Sequence, residues 1–245
     1  MSSTLGIKKL VLALAIFGIV GLASNLTAKA DSISVCTPGP SPACSNTNVS
    51  GTIVAGAGTV TITLNNNLTN AQVQSVIQNI SGVYFQVSGY NGGAVSLSSS
   101  SSAQSTNIDN NGNAVLAGGV NPTGWAGGHS GNTITVCVIC AFGINAPAGP
   151  DQTIIGGTGT GTYANANGSI AGNGPHNPFL VGQTTFTLVV PGVTAGSTFS
   201  NVVIQFGTTA TPPGGGGQTP EPASMFLLGT GLVSVAAGFR RRLKK

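Results

Sequence analysis

Between residues 31 and 219 the chain contains no Lys, no Arg and no Glu, and all 8 of its Lys and Arg residues lie outside that stretch. The only charged side chains inside it are Asp31, Asp109 and Asp151. This restricts the fold before any pattern is read. Surface helices normally solvate their outer face with long charged residues, and those residues are missing. Gly, Ser, Thr, Asn and Val dominate instead, and β-branched residues favour strands. About 190 residues suffice for one domain with a real core. The expectation is an all-β domain, a β-sandwich, over residues 31–210. The formal net charge of +4 describes only the two ends. Without cations to neutralise phosphates, the central stretch is excluded as a nucleic-acid binder. A neutral Ser/Thr/Asn/Gly surface still hydrogen-bonds to glycans or to copies of itself, and low charge removes the repulsion that keeps copies apart.

Periodicity places the elements. Val60, Ile62 and Leu64 alternate with Thr59, Thr61 and Thr63, which predicts a half-buried strand at the end of residues 51–64. Val73, Val76, Ile77 and Ile80 fall at helical spacing behind Thr69 or Asn70 as a cap, which predicts one short amphipathic helix packed on the sheet. Ser81-Gly82 ends it, and a strand follows over residues 83–87. The serine run 98–102 reads as a flexible loop. Further strands are expected over 133–140, 184–190 and 201–206, the last with Val202, Ile204 and Phe206 on one face. Residues 211–219 read as a Pro/Gly linker.

Candidate chemistry is sparse. Cys36 and Cys44 bracket a Pro-rich loop and are expected to form a disulfide in an oxidising compartment. Cys137-Val138-Ile139-Cys140 has Cys-x-x-Cys spacing, but a zinc site needs more ligands than His129 and His176 readily supply, and a redox site belongs at a helix start. A structural disulfide or a pair of buried thiols is the expectation. Residues 109–113 contain the glycine and carboxylate of a calcium loop, but the glycine is misplaced and the second carboxylate is absent, so they read as a turn. The Gly-Thr repeat over 156–162 lacks the following helix of a nucleotide loop. Trp125, the only tryptophan, is either a core residue or a sugar-stacking platform. With no nucleophile elbow and no metal-protease motif, no catalytic residue, no metal and no cofactor is expected, and the protein is read as non-enzymatic.

The two ends carry targeting signals. Lys8 and Lys9 precede an apolar run over residues 10–22. Ala28-Lys29-Ala30 then offers signal peptidase a small-x-small site, with Ala28 and Ala30 at the recognised positions, so residues 1–30 read as a signal peptide cut after Ala30. At the other end Pro220-Glu221-Pro222 precedes a largely apolar run of 17 residues, 223–239. That is the lower limit for crossing a bilayer core, about 17 residues. Arg240, Arg241, Arg242, Lys244 and Lys245 follow as a cytoplasmic stop. The expectation is a single transmembrane helix, with residues 31–219 on the far side of the membrane.

This tail resembles the PEP-CTERM sorting signal of exosortase-processed bacterial surface proteins, and the resemblance covers residues 220–245. It implies a Gram-negative-type cell and an inner-membrane-anchored precursor. It also implies cleavage near Pro220-Glu221-Pro222 by a membrane-embedded, cysteine-protease-like exosortase, then release or attachment at the cell surface, often beside exopolysaccharide. The stretch from His176-Asn177-Pro178-Phe179 to Phe206-Gly207-Thr208-Thr209 looks like a module of uncharacterised members of the same exported group. The expected partners are signal peptidase, exosortase and the inner membrane, with exopolysaccharide or self-association beyond them. The expected function is that of a non-enzymatic surface or biofilm-matrix protein. The alternatives are a carbohydrate-binding, adhesive β-sandwich with Trp125 at its site and, third, a secreted hydrolase.

Overall fold

Alternation decides the first half of the fold. Val60, Ile62 and Leu64 are fully buried while Thr59, Thr61 and Thr63 face outward. The same two-residue period runs through the strand before them, so the two close as a hairpin with one wet face and one dry face. The structure, a computed structural model, describes residues 30–37, 44–141, 143–144, 146 and 149–210. The signal peptide, linker and sorting tail of the sequence analysis lie outside the described residues, apart from Ala30 and the signal-peptidase junction it forms with Asp31. Among the described residues no helix is long and apolar enough to cross a membrane.

The strands are β1 (Ala30–Thr37), β2 (Thr47–Gly56), β3 (Thr59–Asn66), β4 (Ile80–Val87), β5 (Ser96–Ile108) and β6 (Asn113–Val120), followed by β7 (Ala126–Ser130), β8 (Thr133–Cys137), β9 (Ile154–Ile155), β10 (Gly161–Thr162), β11 (Phe179–Val189) and β12 (Phe199–Phe206). β11 lies between β3 and β5, which gives the order β1-β2-β3-β11-β5-β6-β10. A second packet has β4 between β12 and β8, with β7 beyond β8. The two-residue β9 joins them, parallel to β11 and antiparallel to β4.

Both packets contribute to one apolar core. Ile53, Ile62 and Phe186 come from the first, and Phe85, Val136 and Ile204 from the second. Trp125 stacks on Phe186 with ring centroids 4.3 Å apart. Gly127 in β7 shows how closely the packets approach. A methyl group there would fall 2.5 Å from Leu188 Cδ2 and 2.7 Å from the Leu97 amide nitrogen. A second, smaller core gathers Leu68, Val73, Val76, Tyr163, Ile170 and Phe179. The all-β expectation therefore holds, and both disulfides, Cys36–Cys44 and Cys137–Cys140, are formed.

The expected amphipathic helix is absent. Only a single 3-10 turn, Val76–Gln78, forms there. Ser75 caps it by accepting from the Ile77 amide, and the Gln78 side chain reaches back to the Ser75 amide. Asn79 is already extended. Four apolar positions at helical spacing do not make a helix when their burial is split. Val73 and Val76 enter the smaller core, Ile80 begins β4 opposite Phe206, and Ile77 is 68 % exposed. Short helices form only when packing rewards one face. Ser81-Gly82 accordingly sits inside β4 and ends nothing.

The serine run is also corrected, from loop to strand. Ser99, Ser100, Ser101 and Ser102 pair with Thr187, Phe186, Thr185 and Thr184 of β11. Composition suggested disorder, but a strand clamped between β11 and β6 needs no propensity of its own.

Candidate functional site

The titratable groups are the first place to look for chemistry. Asp109 caps its own turn: Oδ1 accepts from the amides of Asn111 and Asn113, each at 2.8 Å, and Oδ2 accepts from Asn113 Nδ2 at 3.2 Å. The backbone and side-chain bonds from Asn113, with the Asn111 amide, hold its carboxyl below the usual carboxylate range. Gly112 closes the turn at φ +78°. This is an Asx turn whose oxygens are occupied by the chain itself.

Asp151 is pushed the other way, upward, by burial. His176 is nearly buried, and its Nδ1 donates to Ser169 O at 2.6 Å. His129 lies against the edge of Tyr90, with its Nδ1 3.3 Å from Gly131 O. Among the described residues, no three His, Cys, Asp or Glu side chains gather at metal-binding range. Cys137 and Cys140, like Cys36 and Cys44, are tied to each other.

The Gly-Thr loop at 156–162 uses its amides internally. The Gly157 amide donates to Leu68 O, Thr158 to Asn70 Oδ1, and Gly159 to the Tyr163 hydroxyl. The same hydroxyl donates to Gly156 O at 2.9 Å. A phosphate cradle needs free amides, and these three are spent.

Trp125 is not a sugar platform. It is 2 % exposed, and its indole N–H donates to Gln152 O at 2.8 Å. The Gln152 side-chain oxygen accepts from the Gly124 amide at 2.8 Å, so one residue fixes both the ring and its backbone. With one face on Phe186 and the rest enclosed, no face remains for a ligand.

The exposed face of the first packet is the distinctive surface. Its register sets Ser32, Thr52, Thr63, Thr185 and Ser101 in one row across β1, β2, β3, β11 and β5. The next row holds Ala30, Val54, Thr61, Thr187 and Ser99. Rows of this kind repeat about every 6.8 Å along a strand, with strands about 4.8 Å apart. Facing hydroxyls pair across strands, Thr63 with Thr185 at 3.2 Å and Thr61 with Thr187 at 3.5 Å. Beside the rows, Asn67 bonds Ser50, Asn48 and Asn65 in an amide cluster. Neither row contains a charged or aromatic side chain. Solvent faces usually carry many charges; this one presents hydroxyls and methyls. Sequence reading missed it because one of its strands comes from the serine run, which reads as a loop from composition. The Thr-x-Thr alternation in β3 and in β11 was the available signal.

The sorting residues lie outside the described fold, and sequence comparison bears on them directly. Residues 218–242 match the family model of the PEP-CTERM protein-sorting motif. The chain carries a PEP-CTERM sorting motif. It spans Pro220, Glu221 and Pro222, the apolar run, and the basic residues to Arg242. PEP-CTERM motifs mark exported proteins whose membrane-anchored precursors are processed by an exosortase. No curated protein matches the chain. Of the predicted signal-peptidase residues, Ala30 is the first residue of β1 and exposed, while Ala28 is outside the described residues.

Proposed function

We propose that this PEP-CTERM protein is a non-enzymatic surface or extracellular-matrix protein, and that it acts by contact between its hydroxyl face and exopolysaccharide. The observation that carries the reading is the sorting motif at 218–242 behind a domain with three charged side chains. That domain reads as a β-sandwich built by folding one sheet over on itself. Asp109, His129 and His176 support the non-enzymatic part, because their hydrogen bonds go to nearby backbone and turn residues. A lattice of neutral donors and acceptors suits a neutral, hydroxyl-rich polymer, and it gives no electrostatic reward to nucleic acid. The precursor is anchored by residues 223–239 and Arg240 to Lys245 in the inner membrane of a Gram-negative-type cell, with signal peptidase and exosortase as its processing partners. The end point is the cell surface or the matrix around it. The adhesive, glycan-binding alternative survives in one form, with the hydroxyl face in place of Trp125.

The test is the intact mass of the protein recovered from its host, with and without Pro220, Glu221 and Pro222 changed to Ala. The expected wild-type mass begins at Asp31 and ends near Pro220-Glu221-Pro222, and the triplet variant loses that end point. A wild-type mass that still includes Arg240 to Lys245 would reduce the tail to a plain anchor and remove the sorting step. Pull-down on the host's neutral exopolysaccharide, lost in a Thr63→Lys/Thr185→Lys variant, tests the face. Retention by that variant would refute it.

A further inference from the structure

We propose that signal peptidase must cut this chain before β1 docks, so that removal of the signal peptide comes ahead of folding in the order of events. This rests on signal peptidase as a processing partner, with its cut after Ala30. The order itself comes from where the fold puts that bond. The Ala30–Asp31 bond lies inside the domain, as the first peptide bond of β1.

The strand is held along its whole length. β1 pairs with β2 in unbroken register from its first residues, Ala30↔Val54 and Asp31↔Ile53, to Thr37↔Thr47. The two residues opposite the junction are fixed in turn, because Val54 and Ile53 pair onward with Thr61 and Ile62 of β3. Ile33, the third residue of the mature chain, is 2 % exposed, and Val35 follows it into the same core. The Cys36–Cys44 disulfide ties the far end, and β12 of the second packet lies within contact range.

A peptidase takes its cut site as a linear segment in its own cleft, so Ala30 and Asp31 have to leave β2 first. Cleavage of a folded segment then follows the population of its open form. Peeling β1 as far as Ile33 breaks its pairs with β2 and returns a buried isoleucine to water. Chain ends that carry few buried contacts fray freely; this one has a core residue three positions in. The same core also draws on Phe186 and Ile204. Those residues belong to the last strands of the domain to cross the membrane. The junction therefore stays available while the domain is being exported and is withdrawn when the core closes.

The full-length precursor tests this, made by cell-free synthesis in mild detergent so that both ends stay uncut. Circular dichroism and Trp125 emission check that it is folded. Purified signal peptidase should cut it at least about tenfold more slowly than the Phe186→Asp precursor. That variant is unfolded because a carboxylate replaces a fully buried ring, and intact mass should place its cut after Ala30. Ile33→Ala lowers the cost of peeling β1. It should speed cutting of the folded precursor at least about tenfold and leave the rate unchanged in the Phe186→Asp background. The second background separates peeling from recognition by the enzyme. Ser34→Ala, exposed on the same strand, should leave the folded rate unchanged. A folded precursor cut as fast as the unfolded one would overturn the proposed order. So would an Ile33→Ala change that speeds both backgrounds equally. An unfolded precursor that is not cut after Ala30 would instead remove the signal-peptidase reading, and the order with it.

Discussion

Replacing Trp125 separates a core role from a ligand role in one experiment. The indole stacks on Phe186 at 4.3 Å and donates to Gln152 O at 2.8 Å, and only 2 % of it is exposed. Trp125→Ala removes a large buried ring, and such truncations cost about 3–5 kcal/mol. Against a total stability of about 5–15 kcal/mol for a domain, that is a large fraction. Trp125→Phe keeps most of the contact with Phe186 but strips the donor from Gln152 O. A buried acceptor left without its partner costs about 1–3 kcal/mol. The two variants should fall in that order in urea unfolding followed by far-UV circular dichroism, a probe that does not depend on the lost tryptophan. Wild-type Trp125 should emit at short wavelength and resist acrylamide quenching. If Trp125→Ala unfolds within about 0.5 kcal/mol of wild type, the range of neutral surface substitutions, or if wild-type emission is readily quenched, the packing argument is wrong and the ring is at the surface.

Tyr163→Phe should cost about 1–3 kcal/mol, because Gly156 O and the Gly159 amide both lose their partner; faster hydrogen exchange at Gly159 in that variant would locate the damage. Cys36→Ser with Cys44→Ser opens a loop of sequence separation 8, and chain entropy predicts a loss of about 2.5 kcal/mol in urea unfolding; an unchanged midpoint would refute that estimate. The two perturbed aspartates should give stability–pH slopes of opposite sign. The Asp109 carboxyl is held low in the fold, so its contribution is present above the ordinary value of about 3.9 and is lost as pH falls through its folded value. The Asp151 carboxyl is raised by burial, so its contribution is present below that value and is lost as pH rises through its folded value. Urea midpoints across the acid range should flatten on the low side in Asp109→Asn and on the high side in Asp151→Asn; identical profiles in both variants would contradict the assignment.

Local pattern was informative wherever one physical cause acted alone. The turn at Asp109 could be read from five residues because the carboxylate bonds amides two and four positions on. The β2–β3 hairpin was half legible because a two-residue period fixes which side chains are buried. The helix at 73–80 was misread because periodicity reports spacing and not where each residue is buried. Two cores and a strand partner divided those residues among themselves. The hydroxyl face was illegible for a related reason: its rows join five strands drawn from residues 30 to 189, and only pairing brings them into line.

The sequence by itself determined that this protein is exported through a membrane-anchored precursor. Export, anchoring and sorting signals are read as linear strings by enzymes and membranes, so they need no fold to be recognised, and the sorting motif at 218–242 is such a string. Composition likewise determined the all-β class, because β-branching is a sum that does not depend on arrangement. Tertiary structure alone decided that Trp125 is enclosed, that the serine run is a strand, and which residues line the hydroxyl rows. Burial and register are relations between distant residues. The free energy that sets them, from apolar area removed from water and hydrogen bonds closed between strands, exists only once the chain has brought those residues together.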